Sequence, residues 1–212
     1  MSEDLFPVKE RLSKLLAEAG LPPLDEQALL RFSIYYSLFS RWNARINLSS
    51  IRDPEQVLRR HFVESISCAQ QIPQGVATLL DFGSGGGLPG APISICRREI
   101  SVTLAESQGK KAAFLQEVAR MLSTGLRVHA GRAEELPGEF DCVTLRAVDR
   151  MEKAISVAAG LVKESGYLVL MTTRDEASDM EAAAGPGFRW RQTALLFGDE
   201  TRVFEIGQKR SA

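Results

Sequence analysis

The sequence predicts an α/β fold: a doubly wound sheet of seven strands whose last two form an antiparallel hairpin, preceded by a helical extension. Three observations predict it. From residue 77 onward short apolar runs alternate with helical patterns, the rhythm of parallel strands joined by crossover helices. The first run, Ala77-Thr78-Leu79-Leu80, ends in Asp81 and opens into Gly83, Gly85, Gly86, Gly87 and Gly90, which reads as a buried strand feeding a glycine-rich turn at a helix N-terminus. The runs 191–197 and 201–207 are joined by Gly198-Asp199-Glu200, a hairpin signal.

Residues 1–75 read as a helical cap and 76–212 as the sheet domain, the two packed as one unit. Leu12, Leu15, Leu16 and Ala19 repeat at helical spacing, and Gly20 followed by Pro22-Pro23 stops that helix. Asp25 can cap a second helix with the stripe Leu29, Phe32, Tyr36, Phe39, Trp42. Asp53 before Pro54 starts a third, with Val57, Leu58, Phe62 and Ile66 on one face. Residues 43–50 between them are too polar for a strand and read as a loop. Strands are expected near 77–82, 101–106, 126–130, 140–145 and 167–172. Phe114, Leu115, Val118, Met121 and Leu122 mark a helix between the second and third, another covers about 151–163, and 182–187 reads as a loop.

The chain has 212 residues, 44% of them apolar and 25% charged, an ordinary globular composition. No apolar run approaches the roughly 20 residues of a membrane span. The N-terminus lacks a basic and then apolar leader, so no signal peptide is expected. Cys68, Cys96 and Cys142 are isolated and odd in number, so neither a disulfide framework nor a metal site is expected, and a reducing cytoplasm fits. A net charge of −1 gives no general sign of nucleic-acid binding. Arg41, Arg45, Arg52, Arg59, Arg60 and His61 nevertheless cluster, which fits either a local basic face or solvated helix surfaces.

Two ligands compete for the glycine turn. Gly85-x-Gly87-x-x-Gly90 matches the dinucleotide fingerprint, with Glu106 as the ribose-binding acid. Asp81-x-Gly83-x-Gly85-x-Gly87 matches the loop with which methyltransferases hold S-adenosylmethionine. A pyrophosphate needs free backbone N–H groups at the helix start. Pro89 and Pro92 each remove one, and Asp81 would repel a diphosphate while tolerating an ammonium or sulfonium. The sulfonium donor is therefore favoured over a nicotinamide dinucleotide. Glu106 can accept from both ribose hydroxyls in either case, and Gly131-Arg132-Ala133-Glu134-Glu135 can meet an adenine edge or form a plain surface turn.

At the end of the fourth strand stands Asp141-Cys142-Val143-Thr144-Leu145-Arg146-Ala147-Val148. The Asn-Pro-Pro-aromatic turn of exocyclic amine methylation is absent, and Cys142 alternates into a buried strand, a packing position. No histidine or carboxylate stands in the turn as a base. That suits an acceptor with an exposed lone pair, such as N7 of guanine, where positioning alone carries the displacement. Arg146 can hold a methionine carboxylate or grip guanine acceptors, or pair with Asp149.

These segments resemble the bacterial small-subunit ribosomal RNA guanine-N(7) methyltransferase family, once called glucose-inhibited division protein B. The resemblance is carried by Trp42-Asn43, Ile46-Asn47-Leu48-Ser49, Arg52-Asp53-Pro54 and Arg60-His61-Phe62-Val63-Glu64-Ser65, then by residues 81–90, Glu106-Ser107, Lys110-Lys111, Phe114-Leu115, Arg132-Ala133-Glu134 and Arg146-Ala147, over about residues 40–150. It implies a class I S-adenosylmethionine-dependent methyltransferase, with donor contacts at Gly83, Leu88, Ala133, Glu134 and Arg146, and the reading of the fourth strand's end makes Arg146 the catalytic candidate. It further implies methyl transfer to a guanosine in the decoding-region loop of 16S ribosomal RNA, the substrate being the small subunit or an assembly intermediate. Arg60 and His61 become candidates for phosphate contact, with packing the alternative for His61, and Arg202 and Lys209 match late basic positions of the family. One departure is Met171-Thr172-Thr173-Arg174, where the family usually has Lys-Gly after the fifth strand; Arg174 is the candidate replacement cation. An NAD(P)-dependent oxidoreductase and an adenosyl-ligand-binding protein without activity stand as the alternatives.

Overall fold

Two aspartates set helix starts in the N-terminal third of the computed structural model, which describes residues 6–148, 150–196 and 199–211. Helix α1 (Phe6–Glu18) is followed by α2 (Glu26–Ile46), where the Asp25 side chain accepts from Ala28 N at 2.7 Å. Asp53 accepts from Gln56 N at 2.9 Å and opens α3 (Pro54–Val57), with Pro54 in the first turn. This helix runs on through a π-helical segment, Leu58–Val63, into α4 (Glu64–Gln71). Helix α2 extends past the expected loop start at Asn43, because Asn43 is buried and its Oδ1 accepts from Ser49 N at 2.9 Å. The helix ends where Asn47 turns left-handed at φ 54°. Its buried tyrosine is Tyr35, whereas Tyr36 is half-buried.

The sheet contains β1 (Thr78–Phe82), β2 (Ser101–Ala105), β3 (Arg127–His129), β4 (Phe140–Arg146), β5 (Val162–Thr173), β6 (Phe188–Leu196) and β7 (Asp199–Lys209). Their spatial order is β3-β2-β1-β4-β5-β7-β6, with β1 to β5 parallel and β7 antiparallel to both neighbours. Helices α5 (Gly90–Cys96), α6 (Gly109–Leu122), α7 (Met151–Gly160) and α8 (Arg174–Ala184) follow β1, β2, β4 and β5. The seven-stranded class I architecture is thus as the sequence predicts.

Three boundaries differ. The helix expected over 151–163 stops at Gly160, because fully buried Val162 already pairs with Phe140 as the start of β5. Polar Lys163-Glu164-Ser165 hid that start. Gly166 is required inside β5, since a Cβ there would lie 2.8 Å from Asp141 O. The loop read at 182–187 begins only after α8 reaches Ala184. The expected hairpin turn includes Gly198, which lies outside the described residues, while Asp199 and Glu200 belong to β7.

Strand residues alternate between two cores, so the strands are apolar on both faces. Leu79, Val169 and Met171 join the side on which α1 to α6 pack, with Leu12, Phe32, Phe62 and Phe114. Leu80, Val143, Leu168 and Leu170 join the other side, under α7. The N-terminal helices therefore share a core with one face of the sheet.

Candidate active site

Strands β1 and β4 are neighbours whose crossovers leave in opposite directions, and a crevice opens beyond their C-terminal ends. The cavity there measures about 960 Å³. The loop after β1 forms one wall with Gly83, Ser84, Gly85, Gly86 and Leu88. Gly85 has φ 55°, which turns its N–H onto Glu106 Oε2 at 2.9 Å. Gly90 meets a different demand: a Cβ there would lie 2.8 Å from Asp81 Cβ and collide with Leu104.

Asp81 and Gly87, expected as donor contacts, do not line the cavity. The Asp81 carboxylate is buried, accepting from Thr144 Oγ1 at 2.9 Å and from Gly90 N at 3.2 Å. It braces the loop from behind. Gly87 leaves room for the Tyr35 hydroxyl and Leu115. Tyr35 donates to Gly86 O at 2.5 Å, and Phe39 packs where a Gly86 Cβ would be. The helical extension therefore moulds the glycine loop, a role Tyr35 does not announce in the sequence.

The loop amides weigh against a diphosphate. Gly87 N and Leu88 N donate to Ser84 O, Ala91 N to Gly87 O, Gly90 N to Asp81, and Gly85 N to Glu106. With Pro89 and Pro92 supplying no N–H, most of the donors that a diphosphate needs are spent or missing. That pattern disfavours the oxyanion-binding turn of a nicotinamide enzyme.

Glu106 follows β2 and is buried at the cavity wall; each oxygen takes one backbone N–H, from Gly85 and from Gln108 at 2.7 Å. The remaining lone pairs can accept hydroxyls. The 3-10 turn Ala133–Glu135 places buried Ala133 and exposed Glu134 on the same cavity.

Arg146, the last residue of β4, occupies the centre. Its Nη2 lies 3.0 Å from Glu64 Oε2 and 3.3 Å from His61 Nδ1, and donates to Arg60 O. Nη1 is buried with no hydrogen-bond partner among the described residues. Burial lowers the Arg146 pKa, and Glu64 opposes that shift. The expected alternative partner, Asp149, lies outside the described residues; among the described residues Arg146 meets Glu64. His61 is buried, and burial with the Arg146 charge pushes its pKa down to about 3. It is neutral at pH 7. Because Nδ1 faces a donor, its proton sits on Nε2, which donates to Ser49 Oγ at 2.7 Å.

The other basic candidates separate. Arg60, His61 and Arg202 line the cavity beside Arg146. The π-helical turn carries Arg60 and His61 there while Arg59, one residue earlier, points to Glu55 and Glu18. Arg41 is held by Glu117. Arg174 starts α8 on the exposed surface, next to cavity-lining Thr173. Lys209 is not brought to the site: it donates to Ala159 O and, at 2.6 Å, to Val162 O, at the opposite end of the parallel strands. Glu64 is not among the site residues that the sequence singles out, although its spacing from Arg60 is the i,i+4 signal of an ion pair.

Burial raises the Asp81 pKa to about 6, against hydrogen bonds that favour the carboxylate. A cationic donor in the cavity favours the ionised form, so binding releases a proton and strengthens as pH rises through 6. Calorimetric affinity for S-adenosylmethionine is expected to be about tenfold weaker at pH 5 than at pH 7.5. In Asp81→Asn that dependence should flatten; an unchanged pH profile would detach Asp81 from donor binding.

Among the described residues no helix is long and apolar enough to cross a membrane, and no group of three or more His, Cys, Asp or Glu could hold a metal ion. The chain resembles solved methyltransferase structures: a predicted O-methyltransferase from Agrobacterium tumefaciens, with TM-score 0.59 and 19% identity over 70% of this chain and 81% of that one. It also resembles a 16S rRNA N2 G1207 methyltransferase from T. thermophilus in complex with AdoMet and guanosine, with TM-score 0.54 and 15% identity over 70% of this chain and 39% of that one. At these identities the likeness establishes the fold. Sequence relatives go further. Proteins called ribosomal RNA small subunit methyltransferase G are 39% identical in Stenotrophomonas maltophilia, over 81% of both chains. The counterpart in Xanthomonas euvesicatoria is 42% identical, over 77% of this chain and 76% of its own. The counterpart in Neisseria meningitidis is 38% identical, over 77% and 79%. The family model for rRNA small subunit methyltransferase G matches residues 28–185, which span the moulding tyrosine, the glycine loop, Glu106 and the Glu64–Arg146 pair, and the chain belongs to that family.

Proposed function

We propose that this protein transfers a methyl group from S-adenosylmethionine to N7 of a guanosine in 16S ribosomal RNA, acting in the cytoplasm on the small subunit or an assembly intermediate. The carrying observation is the loop whose amides are largely spent internally beside a buried acid and an under-bonded buried arginine. That combination fits a ligand with a ribose and a carboxylate but no diphosphate.

The residues present fit the donor. Glu106 would hold the ribose hydroxyls, Ala133 and Glu134 the adenine edge, Gly83 and Leu88 the body of the ligand, and Arg146 Nη1 the methionine carboxylate. When bound, the donor supplies an electrophilic methyl on a sulfonium. Everything else is positioning by the chain. The guanine N7 lone pair needs no base, which accords with a neutral His61 whose Nδ1 is already engaged by Arg146. Cys142 is buried with its thiol pKa pushed well up, so it supplies no thiolate nucleophile for carbon methylation. A volume of about 960 Å³ leaves space for a purine beside the donor. Arg60, Arg202 and Arg174 are the proposed RNA-facing side chains, whereas His61, buried with both ring nitrogens engaged by Arg146 and Ser49, takes the packing role.

Incubation with labelled S-adenosylmethionine and small subunits lacking the modification tests this reading. Nuclease digestion and mass spectrometry are expected to return one 7-methylguanosine per 16S chain. A methyl found on another atom would refute the N7 assignment, and no transfer at all would refute the function.

A further inference from the structure

Glu64 is fully buried and serves three guanidiniums at once. Its carboxylate lies 3.1 Å from Arg60 Nε, 3.0 Å from Arg146 Nη2 and 3.1 Å from Arg202 Nη2. The side chains of Arg146 and Arg202 are only 9% and 16% exposed, so these charges are largely withdrawn from water. Arg146 and Arg202 share this buried carboxylate, and neutral His61 adds no negative charge. A buried guanidinium nitrogen without an acceptor is costly unless an anion completes it. Arg146 Nη1 and Arg202 Nε are buried without hydrogen-bond partners among the described residues, and both side chains line the cavity.

We propose that Glu64 fixes Arg60, Arg146 and Arg202 as a two-part oxyanion receptor, in which Arg60 and Arg202 take a backbone phosphodiester of the RNA next to the methylated nucleotide. This rests on the function proposed above, with Arg146 committed to the carboxylate of the donor. The sharing of labour follows from placement. Arg146 ends β4, between the glycine loop and Glu64, whereas Arg60 comes from the π-helical turn and Arg202 from β7, on the side of the cavity formed by Thr172 and Thr173. Arginine suits the task because its planar fork presents paired donors to phosphate oxygens. Glu64 touches neither ligand in this arrangement. It is a positioning residue: without it three like charges repel, and the receptor is no longer preformed.

The test compares Arg202→Ala, Glu64→Gln and the wild type on unmodified small subunits. Binding of subunit RNA and of S-adenosylhomocysteine is measured separately, with RNA affinity followed across salt concentration. Arg202→Ala is expected to weaken RNA binding and raise its KM about tenfold, and to reduce the slope of log affinity against log salt by about one. S-adenosylhomocysteine affinity should stay within about twofold. Glu64→Gln should raise the RNA KM at least as much and lower kcat as well, with Glu64→Asp restoring part of both. If Glu64→Gln does not fold, the Arg202→Ala comparison decides alone. An unchanged RNA KM and salt slope in Arg202→Ala overturns the receptor. So does a loss confined to S-adenosylhomocysteine affinity, which would make the donor carboxylate the anion held by Arg202. Failure of the wild type to methylate subunit RNA would instead strike the underlying function.

Discussion

Arg146→Ala is expected to lower kcat/KM for methyl transfer by about two to three orders of magnitude while the protein stays folded. Two charge-assisted hydrogen bonds to a carboxylate contribute about 3–4 kcal/mol together, which is a factor of that size. The fold survives because Glu64 keeps Arg60 at 3.1 Å and Arg202 at 3.1 Å after Arg146 is removed. Loss of one cation from that cluster also relieves repulsion between like charges. Steady-state transfer of labelled methyl, with circular dichroism of the same sample, checks both halves of the expectation. Near-normal turnover would remove Arg146 from the mechanism.

Phe62→Ala carries the largest expected effect on stability, a loss of about 3–5 kcal/mol. Phe62 is fully buried, with ring centroids 5.1 Å from Tyr35, 5.9 Å from Tyr36 and 6.0 Å from Phe32. A domain of this kind holds only about 5–15 kcal/mol in total. The cluster around Phe62 also contains Leu79 of β1 and Phe204 of β7, so the damage should reach the sheet. Urea unfolding followed by tryptophan fluorescence and by circular dichroism is expected to show one shared transition at a lower midpoint. Two separated transitions, with the sheet unaffected, would contradict a common core. Because Tyr35 both packs on Phe62 and donates to Gly86 O, donor affinity should fall with the same substitution.

Much of this architecture is legible in the sequence because its signals are local. Asp25 and Asp53 cap helices with side-chain oxygens that any reader of the N-terminal turn can anticipate. The strands around Asp81 and Arg146 announce themselves as apolar runs bounded by turn residues. What the sequence hides is settled by tertiary contact. Tyr35 and Tyr36 are indistinguishable by periodicity, and only the approach of the glycine loop to α2 selects Tyr35. Asp81 reads as a ligand carboxylate from its position at a strand end, yet Thr144 on the neighbouring strand turns it inward. Lys209 follows the family pattern, but antiparallel β7 carries it to the wrong end of the sheet. The Glu64 cluster draws on α4, β4, β7 and the π-helical turn, and no single stretch of chain contains it.

The central claim is that the loop after β1 holds an adenosyl sulfonium donor and rejects a diphosphate. Titration calorimetry of the folded protein with S-adenosylhomocysteine and, separately, with NADH tests it most directly. One S-adenosylhomocysteine site per chain and no heat from NADH is the predicted result. Saturable NADH binding without S-adenosylhomocysteine binding would contradict it.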